Sequence, residues 1–136
     1  MTTSAPFSFV RAIAAVSGVY DAAVGLFLLL AADRMAALFS VPPPSPPIFG
    51  NLNGLFLLAV GAGYCWPYRD PRGARWYLWV MGVGLKSAGA AAFLIDYAVR
   101  GSPASFLLFA ASDGTLAILT LVALTGVSER AASSPS

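Results

Sequence analysis

Residues 7–30 read FSFVRAIAAVSGVYDAAVGLFLLL, with Arg11 and Asp21 as the only charges. A transmembrane α-helix needs about 20 mainly apolar residues, and this stretch has them. Its apolar residues run in blocks rather than alternating with polar ones at a two- or 3.6-residue period, which suits a helix that faces lipid on its outside. Three more stretches have the same character: Ile48 to Pro67, Trp76 to Val99 and Ser105 to Val127. Together they predict an all-α fold, a polytopic membrane protein built as one four-transmembrane-helix bundle over residues 1–127. A small polar tail, 128–136, is expected to be disordered.

Composition agrees. Hydrophobic residues make up 58% of the chain and charged residues 10%, against about 25% charged in a typical soluble domain. So few charges could not coat a water-soluble fold of this size. The first stretch is also longer than the roughly 7–15 apolar residues of a signal peptide and carries Asp21 inside it, so it reads as a retained helix.

The breaks are written in proline and charge. Val41-Pro42-Pro43-Pro44-Ser45-Pro46-Pro47 cannot be helical and reads as a stiff extended loop. Ala32 to Phe39, just before it, suits a short amphipathic helix at the surface with Asp33 and Arg34 on its wet side. Arg69-Asp70-Pro71-Arg72-Gly73 and Arg100-Gly101-Ser102-Pro103 are polar turns. Arg11, Arg69, Arg72, Arg75 and Arg130 fall on one side of the bilayer, and Arg34 and Arg100 on the other. By the positive-inside bias both termini are expected in the cytoplasm, in an inner (plasma) membrane. Trp66, Tyr68, Trp76, Tyr77 and Trp79 flank the second turn as an interfacial aromatic belt would.

Several functions are excluded early. The chain has no histidine and one cysteine, Cys65. That removes the usual general base, the commonest metal ligands and any internal disulfide. Phosphate-binding loops, nucleophile elbows and dinucleotide fingerprints are absent. The seven arginines and single lysine form no track for a nucleic-acid backbone. No enzyme activity, cofactor or metal is therefore expected. The expected partners are the lipid bilayer, a small amphipathic ligand, and further copies of the chain or a larger membrane complex.

The informative residues are those a bilayer penalises. Each helix carries one: Asp21, Asn53, Lys86 and Asp113. At 1.5 Å per residue, Asp21 and Lys86 lie roughly 15 and 16 Å from the cytoplasmic edge, and Asn53 and Asp113 roughly 21 Å. In a hydrocarbon core about 30 Å thick, all four lie between the midplane and the outer half. An Asp or Lys at a helix centre costs about 2.5–3.5 kcal/mol. The first helix has about twelve Leu, Ile, Phe and Val residues, worth roughly 4–7 kcal/mol, so it inserts with Asp21 aboard. Lys86 cannot reach water from that depth by snorkelling, and Asp21 and Asp113 are its natural partners.

Helix faces support the grouping. Gly18, Asp21 and Gly25 share one face of the first helix. Gly50, Asn53, Gly54, Leu57, Gly61 and Tyr64 line one stripe of the second. Gly82, Lys86, Gly89 and Ala90 do so on the third, and Asp113, Ala117 and Thr120 on the fourth. Small residues let helices approach closely, so charges on the same faces should point inward. The plain reading is a lock that fixes helix register. The sharper reading is a ligand or proton site at Asp21, Asn53, Lys86 and Asp113, because two carboxylates beside one ammonium leave a surplus negative charge. A cavity at the cluster would distinguish the second from the first. The remaining polar side chains draw plainer expectations. Asn51 and Asp96 face water, Tyr20 and Tyr64 pack, and Cys65 is inert.

The layout is similar to the broad DoxX-like group of small bacterial four-helix membrane proteins. The resemblance rests on Arg11 opening the first helix, on Gly18 and Gly25, and on Gly50-Asn51-Leu52-Asn53-Gly54 opening a second helix that closes near Pro67. A Gly- and Ala-rich third helix and an apolar fourth complete it. It implies a four-helix membrane protein, in a group sometimes associated with redox or stress complexes. Lys86 and Asp113 are not matched to that group, and no site residue is carried over from it.

Overall fold

The computed structural model describes residues 5–132. Six α-helices follow one another: α1 Ala5–Leu38, α2 Ile48–Gly63, α3 Cys65–Arg69, α4 Arg75–Tyr77, α5 Lys86–Arg100 and α6 Leu107–Ala132. A π-helical stretch, Leu78–Leu85, joins α4 to α5, and a 3-10 turn, Ala104–Phe106, leads into α6. They make four spans long and apolar enough to cross a membrane: Phe7–Leu38, Ile48–Arg69, Arg75–Arg100 and Ala104–Val127. Large apolar side chains stand outward along them; Val19, Leu30 and Val99 are 70, 82 and 77% exposed. Water would penalise such a surface and lipid does not. The chain is a multi-pass membrane protein with an all-α four-helix bundle.

α1 is the hub. α2 runs along one side of it and α6 along another, while the third span packs mainly on α6. The α1–α2 contact depends on glycine. A Cβ added at Gly25 would lie 2.7 Å from the Gly54 carbonyl oxygen, and one at Gly61 2.8 Å from that of Gly18. Gly18 and Gly25 thus meet Gly61 and Gly54 in antiparallel order, and no larger residue allows the backbones so close. Gly82 does the same for α6, where an added Cβ would fall 2.8 Å from the Thr120 methyl. Gly82 and Gly84 also lower the cost of leaving α-helical geometry in the π-helical stretch.

The two ends of the bundle differ. At the end formed by the start of α1, the end of α2, α4 and the end of α6, Val10, Ile13, Val60, Tyr64, Tyr77, Leu78 and Leu124 form a tight core. The Tyr77 hydroxyl donates to the Val60 carbonyl at 2.6 Å, and the Arg75 guanidinium donates to the Leu124 carbonyl at 3.0 Å. Outside that core, Trp66 and Trp76 meet edge to face at 5.5 Å. At the opposite end α2 and the third span separate, and a cavity lies between them.

One expectation is refined and two need correction. Ala32 to Leu38 forms the short amphipathic helix expected there, set off from the long limb of α1 by non-helical backbone at Ala31 (φ −149°, ψ 42°). Asp33 and Arg34 are exposed as expected, but Met35, Ala36 and Phe39 are buried. The apolar run ends at Leu30, and the bend lets the polar face reach water while the apolar face turns back over the bundle. The second helix, expected unbroken to Pro67, jogs at Tyr64 before resuming as α3. Finally, α6 runs to Ala132, so the tail expected to be disordered begins as helix. Glu129, Arg130, Ala131 and Ala132 are good helix formers, and a helix need not stop where lipid does. Residues 133–136 lie outside the described residues.

Candidate functional site: an ionic cluster at the floor of an apolar cavity

Three of the four intramembrane polar residues meet. Asp21 comes from the middle of α1, Lys86 from the first residue of α5 and Asp113 from the second turn of α6. The Lys86 ammonium donates to Asp21 Oδ1 at 2.7 Å and to Asp113 Oδ1 at 3.3 Å. Their environments differ. The Lys86 and Asp21 side chains are 4% and 5% exposed, whereas Asp113 is 18% exposed. Lys86 and Asp21 therefore form a short, nearly dry ion pair, and Asp113 is the outer, looser partner.

Neighbouring residues hold this geometry. Gly18 and Gly25 bring α2 against α1 on either side of Asp21. Gly89, one turn after Lys86, leaves room for the second Asp113 oxygen; a Cβ there would sit 3.3 Å from Oδ2. Tyr20 lies with its ring 4.9 Å from the Lys86 ammonium, and its hydroxyl shares a 2.7 Å hydrogen bond with Ser112. The Ser112 hydroxyl also reaches the Leu108 carbonyl at 2.9 Å. Ser17 and Thr120 are fully buried on the closed-end side, and Thr120 satisfies itself by donating to the Leu116 carbonyl at 2.7 Å.

Asn53 does not join the cluster. It is exposed, and its amide makes no hydrogen bond among the described residues. It stands instead on the lining of a cavity of about 520 Å³ that reaches down to Asp21, Lys86 and Asp113. Above the charges the walls are apolar. Phe109 stacks on Phe39 at 4.7 Å and on Phe93 at 5.4 Å, and Phe106 lies 5.8 Å from Phe93. Met35, Ala36 and Phe39, from the bent limb of α1, and Pro42 and Pro44, from the proline loop, close over it. Asn53 and Phe56 line the cavity yet are exposed, which puts its mouth at α2 near the loop.

Sequence reasoning found the ionic residues from their depth but missed Tyr20, Ser112 and the phenylalanine cluster. Tyr20 was expected only to pack. Its position beside Asp21 was the available signal. The aromatic cluster combines residues from α1, the third span and the 3-10 turn into α6, and only the fold brings them together. Asn51 is exposed as expected, while Asp96 is half-buried and paired with Arg100 at 3.1 Å and with the Ser102 hydroxyl. Among the described residues no group of His, Cys, Asp or Glu is placed to hold a metal ion. No protein-family model, curated protein or solved structure matches the chain.

Proposed function

We propose that this is an inner-membrane protein, with both termini cytoplasmic, that binds or moves a small amphipathic molecule held in the cavity beside Lys86. The observation that carries the reading is the cavity itself, about 520 Å³ with an ionic floor and aromatic walls. Small-molecule sites are typically about 300–1,000 Å³, mostly apolar, with a few converging polar groups. A register lock accounts for the contacts of Lys86 with Asp21 and Asp113. It does not call for an apolar chamber above them. The cavity also favours binding over a purely accessory role in a larger complex, which would ask for an outer contact patch rather than an inner chamber.

The test fills the chamber. Ala36 lines it and is itself buried, so Ala36→Phe places a ring in the space while keeping the ionic residues. Native mass spectrometry of protein released from lipid nanodiscs, titrated with octyl- and decyl-chain amphiphiles, should show one saturable adduct on the parent and none on the filled variant. Adducts equal on both would reject the cavity as the site.

A further inference from the structure

We propose that the cavity's occupant is an amphipathic monocation, an amine with an apolar body, whose protonated nitrogen docks on Asp113. This rests on the reading that the cavity is a binding site and specifies its chemistry.

The charge count comes first. The floor holds two carboxylates and one ammonium, and Lys86 is the only lysine in the chain. Its closest contact is Asp21 at 2.7 Å, with both side chains at 5% exposure or less. That pair is neutral as a unit and its charges are already matched to each other. Asp113 is held only at 3.3 Å through Oδ1, and its Oδ2 accepts no hydrogen bond among the described residues. Gly89 keeps the space next to Oδ2 free of a side chain, and Asp113 lines the cavity. The floor therefore presents one negative charge and one open acceptor to a low-dielectric space. A carboxylate there is costly without a partner.

No arginine with a described side chain lines the cavity. Arg75 bonds the Leu124 carbonyl at the closed end. Arg72 stacks on the Phe7 ring at 4.7 Å. Arg100 pairs with Asp96, and Arg34 is exposed.

Each class of head group then has a consequence. An anionic head would meet a floor that is already negative, and the Lys86 ammonium is engaged by both carboxylates. A neutral hydroxyl would leave the surplus charge in place. A protonated amine neutralises it and donates to Oδ2 in a charge-assisted hydrogen bond. The walls suit the same molecule, because phenylalanine rings bury an apolar body. The Tyr20 ring already meets a cation, Lys86, at 4.9 Å, and the Phe109 ring is stacked on Phe39 and Phe93, so the phenylalanines serve the ligand as an apolar wall.

The experiment is a ranking of four decyl probes on the full chain by native mass spectrometry: decylamine, decanol, decanoate and decyltrimethylammonium. The parent should bind decylamine at least about tenfold more tightly than decanol, corresponding to roughly 1.4 kcal/mol. Decyltrimethylammonium should fall between them, since it carries the charge without an N–H donor, and decanoate should be weakest. Asp113→Asn should reduce the amine-over-alcohol ratio to near one, while Asp96→Asn, remote from the cavity, should leave it unchanged. Decanol or decanoate binding as well as decylamine would overturn the cation assignment and keep the cavity as a site, as would a preference that survives Asp113→Asn. Probes that bind the parent no better than Ala36→Phe would reject the site together with its ligand class. If Asp113→Asn does not fold, the four-probe ranking on the parent decides alone.

Discussion

Replacing Lys86 with methionine should be among the most damaging single changes to this bundle, and removing Asp21 as well should repair much of the damage. The ammonium and the Asp21 carboxylate are 2.7 Å apart and at most 5% exposed. Lys86→Met leaves that carboxylate with no cation in a dry interior. Breaking a buried pair by removing one partner costs about 3–5 kcal/mol. Asp21→Asn is milder, because Lys86 keeps Asp113; the loss of one charged hydrogen bond is about 1.5–3 kcal/mol. Asp113→Asn should cost about 1 kcal/mol or less, since its contact is longer, it is more open, and its removal relieves the surplus negative charge. In Lys86→Met/Asp21→Asn no pair remains to be broken, so the double variant should be more stable than Lys86→Met alone. Thermal unfolding in one detergent, with monodispersity checked by size-exclusion chromatography, reads all of these. For a chain of this length the Lys86→Met loss corresponds to a Tm drop on the order of 10–20 °C. The reasoning fails if Lys86→Met melts within about 2 °C of the parent, or if the double variant loses the sum of the two single losses.

The glycine contacts should show a positional contrast. Gly25→Ala and Gly61→Ala drive a methyl into the facing backbone at 2.7 Å and should each cost about 1–3 kcal/mol by overpacking. Gly126→Ala, with nothing within 4 Å of the added carbon, should be neutral or gain up to about 1 kcal/mol; equal melting of all three would refute the glycine-mediated α1–α2 seam. For topology, in a Cys65→Ser background in intact cells, Ser45→Cys should react with a membrane-impermeant maleimide from outside and Gly73→Cys should not. The reverse pattern would invert the proposed orientation.

Hydropathy carried most of the fold and only part of the site. Helix positions were legible because lipid demands about 20 apolar residues in a row, and prolines 42–47 and the arginine-rich turns mark the breaks without ambiguity. Asp21, Lys86 and Asp113 were legible as a group because three charges at similar depth cannot all face lipid. Asn53 shares that depth and the glycine stripe, yet it looks into the cavity rather than onto Lys86. An amide costs less to leave unpaired than a charge, so depth constrains it less. The break at Ala31 was legible from the end of the apolar run at Leu30 and the amphipathic stretch that follows, but the direction of the bend was not, since no proline or glycine marks it. It matters most for function, because it turns Met35, Ala36 and Phe39 into the cavity's roof. The tyrosine hub at the closed end was half legible: Tyr64 lies on the inward stripe of the second helix and was expected to pack, whereas Tyr77 looks like a belt residue by position and only the α2–α4 approach buries it.

The contrast between the two ends bears on whether the proposed ligand would be held or conducted. Tyr64, Leu78 and Leu124 are each 1% exposed, and Tyr77 crosses the gap to bond the Val60 carbonyl. No continuous path can run from the cavity through that core while it stays packed, so a single copy is a one-ended pocket. A carrier would have to part the Tyr64–Tyr77 contact, whose rings meet edge to face at 5.2 Å, in every cycle. The parent protein in proteoliposomes should therefore show no proton or small-cation leak above empty vesicles. Leu124→Ala should loosen the seal, with a stability loss of about 2–5 kcal/mol, without changing amine binding at the far end. A leak through the parent would show that the closed end opens spontaneously and would refute the one-ended pocket. A loss of amine binding in Leu124→Ala would mean that the two ends move together, as alternating access requires.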